Sequence, residues 1–388
     1  MKLRLRDFNF VSFGAMLVLI GIGVTAIASA GAARGGVFAD MWQSTLATAA
    51  FGLVLYFILA FTDYRALLDW CALPAYLAAL VVLVAVLAVG STIYGGRRWL
   101  WFFQPSEISK LCIILFLAQF FGRAGERFKG QFGFRGFLVA CVLAGIPCVL
   151  ILLEPDLGTT LTLVPALTFM LLAAGVWRKG IFLMLALGAL LSVLVLGAVY
   201  EAEKPGVTEQ RRAEILRYVP LREHQIARIK TFLFPGDDPR GAGYNLIQAK
   251  ISIGTGGLTG KGIGKGENNR LKNLPPSVSM NDFIFCVWAE ETGFWGSLVL
   301  LGLFALVCLS GIAVAWRAED MRGRLVAVGV SVLLFAHVYI NVGMAIGLVP
   351  ITGLPLPFIS SGRTFLVTVM CGLGIVQSIS LHKKEEIA

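Results

Sequence analysis

Leu274-Pro275-Pro276-Ser277-Val278-Ser279-Met280-Asn281-Asp282-Phe283-Ile284-Phe285 marks the boundary that decides how this chain is read. Upstream of it lies the one long polar stretch, Glu201 to Asp282, which holds 13 of the 33 lysines and arginines. Downstream an apolar run begins and continues to about residue 315. Elsewhere the chain contains several windows of about 20 residues without charge, the length of helix that crosses a bilayer core. Over 388 residues the sequence is 57% hydrophobic and 14% charged, with a mean hydropathy of +0.80. A soluble domain carries about 25% charged residues. The chain therefore reads as an all-α polytopic membrane protein, with no alternating β-barrel pattern and no feature that suits nucleic acid.

The apolar runs make ten spans, near 9–29, 43–62, 69–90, 106–122, 135–153, 158–177, 181–200, 284–315, 324–347 and 363–381. Fifteen lysines and arginines fall at the two termini and in the even-numbered connections. Only Arg34, Arg97, Arg98 and Arg363 occupy the short odd-numbered ones. The positive-inside rule then places both termini in the cytoplasm and the large loop 201–282, between spans 7 and 8, on the extracytoplasmic side. Met1–Phe10 runs into the first span without a cleavage site, so no signal peptide is expected. Residues 1–388 read as a single integral membrane domain. The seven cysteines sit in or beside apolar segments without CxxC spacing and read as small buried hydrophobes.

Five groups of residues bear on chemistry. In Gly95–Lys110, Arg97 and Arg98 precede tryptophans at an outer interface, where a charged headgroup would sit. Pro105 suits a first helical position and Glu107 the first turn, where the helix dipole favours an anion. Lys110, three residues on, shares a face with Glu107 in an apolar span, so the two are expected to form a buried ion pair. In Glu154-Pro155-Asp156-Leu157-Gly158-Thr159-Thr160, the carboxylates orient basic residues, bind a cation, or cap the following helix. In the long loop, 209–234 has a helical pattern interrupted at Pro220, with Ile226, Ile229 and Leu233 on one face. Gln248 and Lys250 follow, then glycines at 254, 256, 257, 260, 262, 264 and 266. Gly260-Lys261 is followed by Gly262 rather than Ser or Thr, which argues against a nucleotide loop.

Asp282 itself reads either as a helix cap or as a general base held at the outer membrane surface. Glu290 and Glu291, two turns deeper, need partners if they lie in a span. The fifth group is Gly353–Thr364, an outer turn rich in Pro, Gly and Ser that contains Ser361; such backbone is tolerated at a membrane edge where it lines a cavity. On the preceding span His337 and Asn341 are one turn apart, and His337 reads as a satisfied core histidine. No metal site emerges, and the residues leave open whether a divalent cation assists.

Together, Gly96-Arg97-Arg98-Trp99 with Phe103–Glu107 and Lys110, Glu154–Thr159, Gly241-Ala242-Gly243-Tyr244 with Gln248, Asp282-Phe283-Ile284-Phe285 with Glu290-Glu291, and Gly353–Phe358 resemble the SEDS proteins of bacterial cell-wall synthesis. The resemblance covers essentially the whole chain in order. It is strongest to the rod-shape branch, with the cell-division branch the near runner-up. It implies a ten-helix peptidoglycan glycosyltransferase of the inner membrane, polymerising lipid II beside a class B penicillin-binding protein that acts as transpeptidase. Asp282 falls on the family's catalytic carboxylate. Arg97, Arg98, Glu107, Lys110, Glu154, Asp156, Gln248, Lys250 and Ser361 are the substrate-binding candidates, with Arg97, Arg98, Lys110 and Lys250 facing the diphosphate. The sequence departs from the family pattern at Pro276, at Met280-Asn281 and at Arg363. A lipid II flippase and a non-catalytic scaffold for a penicillin-binding protein are the competing readings.

Overall fold

The computed structural model describes the chain apart from residues 1, 33–34, 94–95, 101–102, 129–131, 155, 205, 220, 239–240, 268–272 and 384–388, and apart from the side chains of 2–3, 91–93, 96–98, 125–128, 276–277 and 383. Apolar runs become helices because hydrocarbon offers backbone N–H and C=O groups no other partner. They form α1 (Phe10–Ala32), α2 (Met41–Phe61), α3 (Tyr64–Val89), α4 (Pro105–Phe128), α5 (Phe134–Leu153), α6 (Leu157–Ala173) and α7 (Arg178–Glu203). The polar stretch contributes α8 (Glu209–Leu216), α9 (Glu223–Leu233), α10 (Ala242–Thr255) and the short α11 (Pro276–Met280). The chain then returns to apolar helices as α12 (Ile284–Arg317), α13 (Met321–Ile346) and α14 (Arg363–Leu381). Among the described residues nine helices are long and apolar enough to cross a membrane, and the 17-residue α6 is the shorter tenth.

Burial separates the centre of the bundle from its rim. In α4, α13 and α14, 78% of the most apolar window is buried, against 6% in α7. The central helices are therefore where polar side chains find protein instead of lipid. α13 packs against α4, α6, α12 and α14, while α14 lies along α2 so closely that a methyl on Gly374 would overlap the Tyr56 backbone. β1 (Lys2–Leu3) pairs antiparallel with β4 (His382–Lys383) and joins the two termini on one face. Between α3 and α4, β2 (Ser91–Ile93) and β3 (Gly96–Trp99) form a small hairpin.

One span differs from the sequence expectation of a continuous helix over 284–315. α12 breaks at Gly293, whose φ is +69°, leaving an arm of about nine residues before the long apolar part. A break exposes backbone groups that hydrocarbon cannot satisfy. The glycine segment after α10 supplies the partners. Lys261 N donates to Glu290 O at 3.1 Å and Gly262 N to Glu291 O at 2.9 Å. On the other side of the break, Phe294 N donates to Gly257 O at 2.9 Å and Trp295 N to Leu258 O at 3.2 Å. A side chain at Gly256 or Gly260 would overlap the carbonyls of Ala289 or Glu291, so these glycines serve backbone-to-backbone docking.

Gly293→Ala is accordingly expected to lower stability by about 1–3 kcal/mol, the cost of holding a non-glycine residue at positive φ, plus the crowding of its methyl against Gly260. Gly302→Ala, in the same helix with open space around it, is expected to change stability by less than about 0.5 kcal/mol. Thermal unfolding in detergent compares the two.

Candidate active site

Asp282 lies half-buried in the turn between α11 and α12. It does not cap α12: the N-cap is Phe283, with no side-chain bond. The turn is held from outside instead. Asn341 Nδ2, on α13, donates to Asp282 O at 3.0 Å and to Leu354 O at 2.6 Å. Ser360 Oγ donates to Asn281 O at 2.6 Å, Ser361 Oγ to Asn281 Oδ1 at 2.5 Å, and Ser361 N to Met280 O at 3.1 Å. The Asp282 turn and the 353–362 turn are thus laced together, with the carboxylate left out of the lacing among the described residues. Phe358 within the second turn is buried at φ +62°, a strained conformation for a non-glycine residue that surrounding structure must enforce.

The carboxylate faces Arg228 of α9, a residue that the sequence did not single out for chemistry. Asp282 Oδ2 and Arg228 Nη2 lie 3.6 and 4.0 Å from the point a Cβ on Gly353 would occupy. The position of Arg228 follows from how α9 docks. Ile226 and Ile229 pack on Val199 of α7, and Glu203 at the end of α7 bonds Arg212 at 2.8 Å and Lys230 at 2.7 Å. Arg228 Nη1 then reaches Thr352 O at 2.9 Å. Burial pushes the Asp282 carboxyl up to about 6, with the Arg228 guanidinium pulling it down. Near neutrality this group is mostly ionised yet more basic than an ordinary carboxylate, which suits a general base.

If Asp282 acts in its ionised form, turnover rises with pH and levels off above about pH 6. Below that value it falls about tenfold per pH unit. Arg228→Gln removes the opposing cation, so its profile is expected to move to higher pH and its rate at pH 7 to drop. Initial rates across pH 5–8 measure both; an unshifted profile in Arg228→Gln would assign the arginine no electrostatic role.

A second group occupies the start of α4. Lys110 is fully buried; its Nζ lies 2.8 Å from Glu107 Oε2 and 2.7 Å from His337 Nε2, and 5.1 Å from the Phe365 ring centre. An ammonium only donates, so Nε2 accepts and the imidazole proton sits on Nδ1. Asp156, the N-cap of α6, accepts from Thr159 N at 3.1 Å, Thr159 Oγ1 at 2.8 Å, Gln104 Nε2 at 3.0 Å and Ser106 Oγ at 3.3 Å. It thereby fixes α6 against the first turn of α4. His337 and Asn341, one turn apart on α13, connect the two groups: the first holds Lys110, the second the Asp282 backbone.

The other sequence candidates are distributed around these groups. Arg97 and Arg98 fall on β3, with side chains outside the described residues. Glu154 is buried at the C-terminal end of α5. Gln248 is half-buried on α10, and Lys250 is exposed beside Gly347 at the end of α13. Glu290 and Glu291 do have partners: Lys261 Nζ at 2.9 Å for Glu290, and Ser29 Oγ of α1 for Glu291. Of the departures from the family pattern, Asn281 receives the Ser361 hydroxyl, and Arg363 is the exposed first residue of α14.

The sequence profile of the FtsW/RodA/SpoVE cell cycle proteins matches residues 9–385. The chain belongs to the FtsW/RodA/SpoVE family. Among its relatives, the peptidoglycan glycosyltransferase MrdB of Escherichia coli K12 is 36% identical over 349 residues, covering 89% of this chain and 86% of that one. A chain solved in a peptidoglycan synthase complex that coordinates polymerization and crosslinking is 28% identical. It superposes with a TM-score of 0.72 over 96% of this chain and 97% of that one. The rod shape determining protein RodA of Thermus thermophilus shares the fold, at 24% identity and TM-score 0.67 over 97% of this chain and 98% of that one. Membership in the FtsW/RodA/SpoVE family thus rests on nearly the full length of the chain, residues 9–385.

Proposed function

We propose that this chain is a peptidoglycan glycosyltransferase of the bacterial inner membrane that polymerises lipid II during cell elongation. The observation that carries the reading is a half-buried carboxylate, Asp282, beside Arg228 and, among the described residues, outside the bonds that hold its turn. In this reading Asp282 removes the proton of the 4-hydroxyl of an N-acetylglucosamine as that oxygen attacks the anomeric carbon of a second, diphosphate-linked sugar. The bond to the lipid diphosphate breaks on the opposite side. An α-linked donor then yields a β-1,4 bond by inversion, with no covalent enzyme intermediate. Arg97, Arg98 and Lys250 are the cations assigned to the departing diphosphate. Asp156 and Ser361 hold the surrounding turns and Glu107 holds the Lys110 ammonium, while Glu154 and Gln248 remain assigned to substrate binding.

The buried Lys110 is engaged on two sides, so its part is to carry positive charge behind the site. The termini lie in the cytoplasm and 201–282 outside, and residues 1–388 act as one membrane domain. The partner is a class B penicillin-binding protein that crosslinks the product, as the synthase complex containing a relative suggests.

Reconstitution in liposomes with labelled lipid II and the partner tests the activity. Processive glycan chains are expected. Translocation of lipid II without polymer would instead make the chain a flippase, the reading that a buried ion pair inside a ten-helix bundle otherwise favours.

A further inference from the structure

A cavity of about 440 Å³ opens on the face that carries both termini. It lies at the far end of α12 from Asp282: the 24 residues that follow Gly293, up to Arg317, span about 36 Å of helix. Nothing in the proposed reaction uses it. Among the described residues its rim carries Arg6 and Arg317, both exposed, against one carboxylate, Asp7. Asn9 adds an amide; its Oδ1 already accepts from Ser12 N at 3.1 Å, which leaves Nδ2 to donate. Ser310 adds a hydroxyl. The set is therefore one of donors around an excess of positive charge.

The space is built rather than left by a loose tail. β1 pairs with β4, Arg4 N donates to Leu381 O at 3.0 Å, and Ser380 Oγ donates to Asp7 O at 2.7 Å. Its depth in the bilayer can also be read. Trp316, next to Arg317, is 87% exposed, and Phe10 on the wall is 70% exposed, as in the aromatic belts that mark headgroup level. On the membrane side of that level, α12 exposes Leu309 and Ile312 and α1 exposes Val18. A ligand that fits has an anionic head matching guanidinium geometry and apolar chains that continue along α1 and α12.

We propose that this cavity binds an anionic phospholipid, with Arg6 and Arg317 on its phosphodiester and its acyl chains along α1 and α12. Such a lipid links the two termini to the far end of the helix whose broken arm follows Asp282.

Native mass spectrometry of the detergent-purified full chain, titrated with phosphatidylglycerol and separately with phosphatidylcholine, tests the proposal. Phosphatidylglycerol is expected to bind preferentially, and inorganic phosphate at millimolar concentration is expected not to displace it. Arg6→Gln combined with Arg317→Gln is expected to weaken that binding about thirtyfold, from roughly 1 kcal/mol for each basic residue near a membrane surface. Ala313→Trp keeps both charges and fills the cavity, and is expected to weaken it as well. Equal retention of the two lipids would overturn the proposal, as would displacement by inorganic phosphate, which would indicate a free-anion site. Undiminished binding in Ala313→Trp would place the lipid elsewhere. Melting temperatures separate lost binding from lost folding; should the arginine pair fail to fold, the lipid-class comparison and Ala313→Trp still decide.

Discussion

Lys110→Met is expected to destabilise the protein by about 3–5 kcal/mol, the cost of leaving one member of a buried ion pair without its partner. Lys110 is wholly enclosed, and its ammonium lies 2.8 Å from the Glu107 carboxylate. Methionine fills much of the same volume, so cavity formation adds little. The loss comes from the Glu107 charge, which remains 3% exposed with no cation beside it. Glu107→Gln is expected to be costly for the mirror reason, although His337 Nε2 at 2.7 Å still accepts from the ammonium. The double variant, Glu107→Gln with Lys110→Met, should recover most of the loss, because no unpaired charge stays buried. Unfolding of all three in the same detergent gives the coupling. Additive losses would mean that the two side chains do not act as a pair.

That pair was legible in the sequence because both members lie on one helix, three residues apart, in a span otherwise free of charge. Its third member was not, since His337 is 227 residues away and only the packing of α13 against α4 brings the imidazole to Lys110. The ten spans were legible for a related reason: an uncharged run of bilayer length has few alternatives to a helix. The break in α12 was hidden because apolar residues resume at Phe294 directly after Glu290-Glu291-Thr292-Gly293, and a glycine there says nothing about the backbone that will dock. The glycines at 256–262 were visible as a cluster, and their partner was not.

Arg228 shows a further limit. Its chemistry depends on α9 lying on α7 and on the 353–362 turn folding back to Asp282, two contacts between segments separated in sequence. A period of helical spacing places Ile226 and Ile229 on the buried face but does not say which groove Arg228 enters. The double role of Asn341 has the same origin. One buried amide on an apolar helix signals that something needs hydrogen bonds, without naming Asp282 O and Leu354 O.

Asp282→Ala is expected to lower the rate of glycan polymerisation by about 10²–10⁴-fold, the usual contribution of a positioned general base. Stability should change little. The carboxylate is absent from the bonds that hold its turn, which run through the Asp282 carbonyl, Asn281 and the Met280 carbonyl. Removing the side chain also leaves Arg228 bonded to Thr352 O. The substitution therefore separates chemistry from folding, which Lys110→Met does not. Asp282→Asn keeps the shape and removes the base, and should be about as slow.

The most direct measurement is the length and rate of glycan chains made from lipid II at pH 7 by the purified chain with its penicillin-binding partner, for wild type and Asp282→Ala at equal protein and equal melting temperature. The account predicts processive polymer from the wild type and a loss of at least about a hundredfold in the variant. Polymer from Asp282→Ala at the wild-type rate would contradict it.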